Sequence, residues 1–530
     1  MEGKRALIVG GGHNGLVCAA YLARSGLRVT VLERRPLIGG ACVTEELWPG
    51  FRISRAAYVV SLLRPRIVRE LDLLRFGLEF LPRVPSSITL LPDGRSLVLG
   101  GGLAADVEEV RRFSTHDAER LPAYEALLTR VASAIEPLFD HPPPAWLPLS
   151  RADLRAALAA ARAGLSLGGR LGSAIRLMTA SARDLLDGWF ESEPLRSTLA
   201  TDAVIGAWAG PSTRGTGAVL FHHVMGSVTG QRGVWAYVRG GMGELARALA
   251  DSVRAAGGEI RTEAYVSSIR VSRGRAVGVD LEGGESVDAD VVVSNADPRC
   301  TFSDLVGESE LPARFVRALG RIDYRSPVLK LNLALDGLPP FRFQDRTSPP
   351  PLSGTVHVGC TDLGALDRAY DDARAGQVST RPMVELTLPS VIDPSLAPPG
   401  KHVASIFAQY GPAAPADDPR WPRWKQEARD RILETIEEVA PGFTERILHS
   451  ELLATPDLEE IFSLSGGNIF HGAMRPERLF VLRPVPGWAR YRTPIRSLYL
   501  CGAGTHPGGG VMGACGRNAA QAVASDLRVD

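Results

Sequence analysis

The sequence has 530 residues, of which 60 are basic and 59 acidic, so its formal net charge is +1. This length exceeds a single hydrophobic core and predicts two or three domains. The balanced charge gives no reason to expect a nucleic-acid partner. The six cysteines lack C-x-x-C or metal-like spacing, which favours a reduced, cytoplasmic protein without a bound metal. No signal peptide and no run of 18 apolar residues is present, so we expect no membrane-spanning helix.

The first forty residues have the pattern of a dinucleotide-binding turn. An apolar strand over Ala6–Val9 leads into Gly10, Gly12 and Gly15, which fit G-x-G-x-x-G, and a helix and a second strand follow. Glu33 ends that second strand and is placed to accept hydrogen bonds from a ribose. The free N–H groups at the start of the helix would face phosphates. The stretch therefore predicts nucleotide binding.

Two further glycine-rich stretches indicate which nucleotide is bound. Gly39 and Gly40 follow the acid by a few residues, as in flavoproteins, although an ordinary loop has the same composition. Near the end of the chain, a strand over Ser497–Cys501 leads into a glycine loop and a helix over Val511–Leu527. A glycine loop entering a helix is an anion site, here for the flavin's pyrimidine edge.

The middle of the chain is mostly helical from about residue 103 to 200, after a hairpin over 87–99. Strands are predicted at Val328–Leu335 and Met383–Leu388. Residues 154–177 are rich in Ala, Leu and Arg. They predict either a solvated lid over a pocket or a helix pair that enters a bilayer interface.

Five motifs give the chain a family resemblance. It resembles the phytoene-desaturase-like branch of the FAD-dependent amine-oxidase superfamily, and within it desaturase-type carotenoid ketolases and phytoene-dehydrogenase-related proteins. The latter often carry the label pyridine nucleotide–disulfide oxidoreductase domain. The motifs span nearly the whole chain: Gly10–Gly15 (GGGHNG), Glu33–Cys42 (ERRPLIGGAC), Gly240–Gly243 (GGMG), Gly466–Gly472 (GGNIFHG) and Cys501–Asn518 (CGAGTHPGGGVMGACGRN).

The resemblance implies an α/β fold with a Rossmann-like FAD-binding domain built from discontinuous segments and an inserted α+β substrate domain. The FAD-binding domain would comprise residues 1–85, 226–300 and 451–530. The substrate-binding domain, with a helical lid, would comprise residues 86–225 and 301–450.

The resemblance also implies a set of FAD-binding residues. The ADP half would lie along the first motifs, the adenine near Val266, and the isoalloxazine and ribitol along the closing loop. Gly502-Ala503 replaces the Gly-Asp of many superfamily members, so an acidic contact is missing. The residues implied are Gly10, Gly12, His13, Asn14, Gly15, Glu33, Arg34, Gly39, Gly40, Ala41, Val266, Gly504, Thr505, Gly510, Val511, Met512 and Gly513.

Dithiol chemistry is not expected, although the family label contains the word disulfide. Disulfide reductases of this cofactor class carry a second cysteine five residues after the first, and here Leu47 stands at that distance from Cys42. There is also no second G-x-G-x-x-G for a nicotinamide cofactor. Electrons would therefore leave the flavin to a diffusible acceptor, either oxygen or a quinone.

We expect an FAD-dependent oxidoreductase that desaturates, isomerises or ketolates a lipophilic isoprenoid or carotenoid-like substrate, a substrate class that rests on the resemblance alone. Peripheral membrane contact would suit such a substrate. The alternatives are an oxidase of an amine or other small molecule, and an FAD-containing structural or chaperone-like protein. His506 is the candidate catalytic residue, because it lies in the loop expected beside the flavin, and Trp235, Tyr237 and His471 are candidate substrate-lining residues.

Overall fold

The strands give the framework of the molecule. A computed structural model gives the structure of residues 3–145 and 151–529. In chain order its strands are β1 (Arg5–Val9), β2 (Arg28–Leu32), β3 (Thr44–Trp48), β4 (Phe51–Ser54), β5 (Phe80–Pro82), β6 (Ser87–Leu90), β7 (Ser96–Leu99), β8 (Ala236–Val238), β9 (Glu259–Arg261), β10 (Val266–Ser272), β11 (Arg275–Leu281), β12 (Ser286–Asp288), β13 (Val291–Ser294), β14 (Leu329–Leu335), β15 (Thr355–Val358), β16 (Met383–Thr387), β17 (His402–Gln409), β18 (Ile447–Leu453) and β19 (Leu498–Leu500).

The helices cover the faces of the sheets and form a separate helical layer. In chain order they are α1 (His13–Arg24), α2 (Pro65–Glu70), α3 (Leu103–Arg111), α4 (Thr115–Ile135), α5 (Arg151–Leu167), α6 (Leu171–Thr179), α7 (Ala182–Asp187), α8 (Glu193–Val204), α9 (Thr216–Val224), α10 (Gly243–Ala255), α11 (Ala313–Leu319), α12 (Leu363–Arg374), α13 (Trp421–Glu437), α14 (Thr455–Phe462) and α15 (Ala514–Val529).

A five-stranded parallel sheet brings distant parts of the chain together. Its strand order is β19-β13-β1-β2-β9, and Ile8 at its centre lies opposite Val293 on one side and Val31 on the other. Both neighbours are buried, as expected for a parallel sheet with covered faces. Helices α1, α10 and α15 pack on it. The expected Rossmann-like domain of discontinuous segments is therefore confirmed.

A seven-stranded mixed sheet forms the framework of the inserted part. Its order is β18-β14-β17-β16-β15-β6-β7, so the hairpin of β6 and β7 joins strands from residues 329–453. Helix α13 covers one face through Trp421, Trp424 and Ile432. Strand β18 ends at Leu453, past the predicted domain boundary at residue 450.

A short 3₁₀ segment, Glu136–Asp140, joins the helical layer to the FAD-binding domain. The buried guanidinium of Arg64 binds the Glu136 carboxylate, and its Nε donates to Asp140 Oδ1 at 2.9 Å. From α15, Asn518 Nδ2 donates to the Phe139 carbonyl at 2.8 Å. These contacts attach the helical layer to the start of α2 and to the start of α15.

Candidate functional site

The turn after β1 is shaped for close approach of a ligand. Gly10 has φ of +94°, where a residue with a side chain would be strained. A Cβ on Gly15 would lie 2.3 Å from the Gly10 carbonyl oxygen. Helix α1 begins at His13, because Gly12 has an extended backbone and acts as its N-cap. The helix N-terminus therefore lies inside the glycine turn.

Glu33 is fixed by the backbone around it. Its Oε2 accepts a hydrogen bond from the Gly11 amide at 2.8 Å, and its Oε1 accepts one from the Arg35 amide at 2.9 Å. The side chain is buried yet lines the cavity described below. Carboxylate oxygens held in this way can still accept further hydrogen bonds from a sugar diol.

The double glycine closes the other side of the turn. The Gly39 amide donates to the Gly11 carbonyl at 2.9 Å, and both Gly39 and Gly40 have positive φ. Next to them, His13 Nε2 and Asn14 Oδ1 are buried without a hydrogen-bond partner in the described part of the chain. Buried polar atoms usually have partners, so these two fit a polar ligand such as a pyrophosphate.

The closing glycine loop contributes fewer residues to the cavity than the resemblance implies. Val511 lines the cavity and has φ of +58°, and helix α15 begins only at Ala514. Thr505 faces the protein, since its Oγ1 donates to the Gly502 carbonyl at 2.8 Å. The expected cofactor residues outside the cavity lining are Gly15, Gly504, Thr505, Met512 and Gly513.

One cavity of about 480 Å³ joins the glycine turn to the inserted part of the fold, and its volume is within the usual range of ligand pockets. It extends from the turn through the closing loop to the face of the seven-stranded sheet. The expected cofactor residues that line it are Gly10, Gly12, His13, Asn14, Glu33, Arg34, Gly39, Gly40, Ala41, Val266, Gly510 and Val511.

The inner end of this cavity, which we call the chamber, is built on one row of residues across the seven-stranded sheet. Lys330 on β14 lies opposite Phe407 on β17, Phe407 lies opposite Glu385 on β16, and Glu385 lies opposite His357 on β15. Directly opposed residues in a sheet point to the same face, so all four line the cavity together.

Lys330 is a fully buried amine. Its Nζ donates to Asn332 Oδ1 at 2.7 Å and to Ser405 Oγ, and it lies 4.9 Å from the centre of the Tyr58 ring. Burial lowers the pKa of this amine to about 7, although the Glu451 carboxylate partly opposes the change. Lys330 can therefore exist as a neutral proton acceptor near neutral pH.

Two carboxyl groups of the chamber, those of Glu385 and Asp202, interact electrostatically. Burial and the Asp202 charge raise the pKa of Glu385 to about 8. Burial also raises the pKa of Asp202, although the charges of His223 and Arg83 partly oppose this. Near neutral pH Glu385 is therefore mostly protonated.

The candidates singled out from the sequence divide into two groups. Trp235 and His471 line the cavity, as expected. Tyr237 does not line it: its ring is buried beneath the Arg83 guanidinium, 5.3 Å away. His506 also lies outside, because its Nε2 donates to the Leu138 carbonyl at 3.1 Å and its ring packs against Phe480. We therefore do not retain His506 as the catalytic candidate or Tyr237 as a lining residue.

The sequence interpretation overlooked the chamber residues Lys330, Glu385, His357, Asp202 and Arg83. One signal was present, because a lysine and a glutamate interrupt otherwise apolar strands in VLKLNLAL and MVELTL. Charged residues are almost never fully buried unless they are paired or functional.

Cys42 is not arranged for dithiol chemistry. All six cysteines are free, and Cys42 is buried with its Sγ 3.6 Å from His13 Nδ1. Burial raises the pKa of this thiol to about 12, which keeps it protonated and unreactive.

Comparisons with known proteins agree with this geometry. Residues 15–524 match the family model of the flavin containing amine oxidoreductases. The chain is 46% identical to mouse "pyridine nucleotide-disulfide oxidoreductase domain-containing protein 2", across 99% of this chain and 94% of that protein. It is 30% identical to one of the polypeptides of limonene dehydrogenase from Castellaniella defragrans, across 98% of this chain and 94% of that one.

A solved structure with the same fold is cyclohexylamine oxidase from Brevibacterium oxydans, with a TM-score of 0.59 at 18% identity, covering 99% of this chain and all of that one. The glycine turn, the buried acid and the unpartnered polar atoms beside them fit the FAD cofactor of this family. The protein is thus an FAD-dependent oxidoreductase, and the chain belongs to the flavin containing amine oxidoreductase family.

Proposed function

We propose that the protein oxidises an isoprenoid or carotenoid-like substrate. The observation that carries this proposal is the continuity of the cavity, which leads from the glycine turn into a chamber with large apolar side chains on its walls. Such walls suit a branched hydrocarbon chain. They include Leu99, Leu199, Ile205, Phe407, Ile469 and Phe470.

Two similarities support the substrate class. The motifs resemble those of phytoene-desaturase-like enzymes, and a relative at 30% identity carries the name of limonene, a hydrocarbon substrate. The fold alone does not identify the substrate, because proteins of one fold catalyse unrelated reactions.

FAD, when bound, supplies a hydride acceptor for a substrate carbon. The chain's own part is to hold the substrate in the chamber and to take up the second hydrogen as a proton. We assign that proton to Nζ of Lys330, since it is the buried amine with a pKa of about 7. The two electrons then pass to a diffusible acceptor, oxygen or a quinone.

Oxidation of an amine is the second candidate function. Tyr58, Trp235 and Phe407 put aromatic rings in the same chamber as the Asp202 carboxylate, and this combination can receive an ammonium group. A fold shared with an amine oxidase gives no further argument for this substrate, because the identity is only 18%.

We also propose peripheral contact with a lipid bilayer through α5 and α6. Helix α5 buries Ala156, Ala163 and Leu167, yet its other three leucines are exposed. Exposed arginines on the same helix pair suit anionic lipid headgroups. The exposed apolar residues are Leu154, Leu158, Leu165, Leu171 and Ile175, with Arg162, Arg170 and Arg176 beside them. Among the described residues, no helix is both long and apolar enough to cross a bilayer.

Anaerobic reduction of the holoenzyme separates the two substrates. Acyclic isoprenoids and cyclohexylamine would each be mixed with the enzyme while the flavin absorbance is followed and the products are identified by mass spectrometry. We expect the isoprenoids to bleach the flavin and to lose two hydrogens. Bleaching by the amine alone would replace the proposed function with the second candidate.

A further inference from the structure

The wall of the chamber carries a charged cluster that the proposed hydride and proton transfer does not use. It consists of Arg83, which follows β5, Asp202 on α8, and Glu385 and His357 on adjacent strands. Glu385 Oε1 lies 3.7 Å from His357 Nδ1, too far for a hydrogen bond. All four residues line the cavity.

Part of the hydrogen-bonding capacity of this cluster is unused. Arg83 is 3% exposed and donates to the Thr355 hydroxyl and, at 3.0 Å, to the Ser86 carbonyl, but its Nε has no partner in the parts of the chain described. The same holds for Nδ1 of His357, which is 6% exposed. Buried polar atoms without partners are rare in folded proteins, and a ligand can supply what is missing.

The cluster combines one basic and two acidic side chains. Arg83 is a cation and interacts with the acidic side chain of Asp202, whereas a pKa of about 8 keeps Glu385 mostly protonated near neutral pH. Burial lowers the pKa of His357 to about 3, so this ring is neutral. An incoming cation would meet Arg83, and an incoming anion would meet the acidic side chain of Asp202. A neutral polar group meets neither obstacle.

We propose that the cluster of Arg83, Asp202, Glu385 and His357 binds an uncharged hydroxyl group carried by the substrate. A hydroxyl can accept from the guanidinium and donate to a carboxylate at the same time, whereas a carbonyl can only accept. The substrate is then a hydroxylated isoprenoid rather than a pure hydrocarbon polyene. This inference rests on the isoprenoid function proposed above and names the head group for it.

Equilibrium binding to four matched ligands tests the proposal. Dithionite-reduced holoenzyme, which cannot oxidise the ligand, would be titrated by calorimetry with farnesol, farnesylamine, farnesoic acid and the hydrocarbon that lacks only the hydroxyl oxygen. We expect farnesol to bind roughly 10- to 100-fold more tightly than the hydrocarbon, because the hydrocarbon leaves buried donors and acceptors unpaired. The amine and the acid should also bind more weakly than farnesol.

Variants identify the groups responsible. Asp202→Asn and Arg83→Met should each bring the affinities for alcohol and hydrocarbon close together. Glu125→Gln, a partly buried carboxyl with a raised pKa outside the cavity lining, should keep the preference. If the wild-type enzyme binds alcohol and hydrocarbon equally, or if folded, FAD-containing Asp202→Asn keeps the preference, the hydroxyl subsite is wrong. If none of the four ligands binds, both the hydroxyl subsite and the proposed isoprenoid function are wrong.

Discussion

Glu385 and His357 lie directly opposite each other on β16 and β15, with 3.7 Å between Oε1 and Nδ1, although 28 positions separate them in the sequence. The pair lies at one end of a row that continues through Phe407 to Lys330. The same sheet face therefore carries an apolar ring between a proton acceptor and a polar cluster. This arrangement suits a substrate that is apolar along its length and polar at one point.

Gly15→Ala should remove FAD from the protein. The added Cβ would lie 2.3 Å from the Gly10 carbonyl oxygen, a backbone atom that cannot move without changing the glycine turn. We expect at least a tenfold fall in flavin per chain, measured by absorbance after gel filtration. Gly169→Ala is the control, because nothing lies within 4 Å of a Cβ there. Normal flavin content in Gly15→Ala would contradict the assigned cofactor site.

Flavin reduction should depend on pH through Lys330. The amine accepts a proton only when neutral, so the rate should rise about tenfold per pH unit below a pKa of about 7 and level off above it. Tyr58, Asn332 and Ser405 contact the amine and Glu451 acts on it through charge.

Lys330→Met should abolish this pH step and slow reduction by roughly 10²- to 10⁴-fold in anaerobic stopped-flow traces. Lys401→Met, which changes a partly exposed lysine, should leave the profile intact. A Lys330→Met enzyme with the wild-type pH profile would show that another group accepts the proton.

Arg64→Met should destabilise the whole molecule. The substitution leaves Asp140 without its guanidinium partner and Glu136 with Arg232 alone in a largely buried setting, which costs about 3 kcal/mol. The melting temperature should fall by several degrees in differential scanning calorimetry. Arg75→Met, at an exposed ion pair with a 3.8 Å separation, should change it little. Equal melting temperatures for the two variants would mean that the 136–140 attachment contributes little to stability.

Replacing Leu154, Leu158 and Leu165 by glutamine should weaken binding to phosphatidylcholine–phosphatidylserine vesicles at least tenfold in a sedimentation assay. The three side chains would lose their apolar contact with the bilayer. The matched control replaces Leu103, Leu338 and Leu448, exposed leucines elsewhere on the surface. Vesicle binding that survives the first triple variant, with flavin content unchanged, would rule out the α5–α6 contact.

The FAD-binding framework could be predicted from the sequence because its signals are local. Gly10, Gly12, Gly15 and Glu33 lie within one strand–turn–helix–strand unit, where spacing alone fixes which atoms approach each other. The strand predicted at Ala6–Val9 lies within β1, which the structure places at Arg5–Val9. The order of the flavin motifs along the chain also implied a discontinuous domain. The strand order of the parallel sheet confirms it.

The chamber could not be predicted in the same way. Lys330, Glu385 and His357 meet only because β14, β17, β16 and β15 pair in that order, and no local pattern encodes that pairing. His506 failed as a candidate for a related reason. Its loop was correctly placed near the cavity, but the side chain turns toward Leu138 in the 3₁₀ segment, a contact across 368 positions.

The stoichiometry of an anaerobic titration tests the central claim most directly. Holoenzyme would be titrated with a hydroxylated isoprenoid while the oxidised flavin absorbance and the product mass are recorded. We predict complete bleaching at one substrate per chain and a product that is two hydrogens lighter. Product formed without any bleaching, as in a redox-neutral isomerisation, or bleaching that leaves the isoprenoid unchanged, would contradict oxidation of this substrate by the bound FAD.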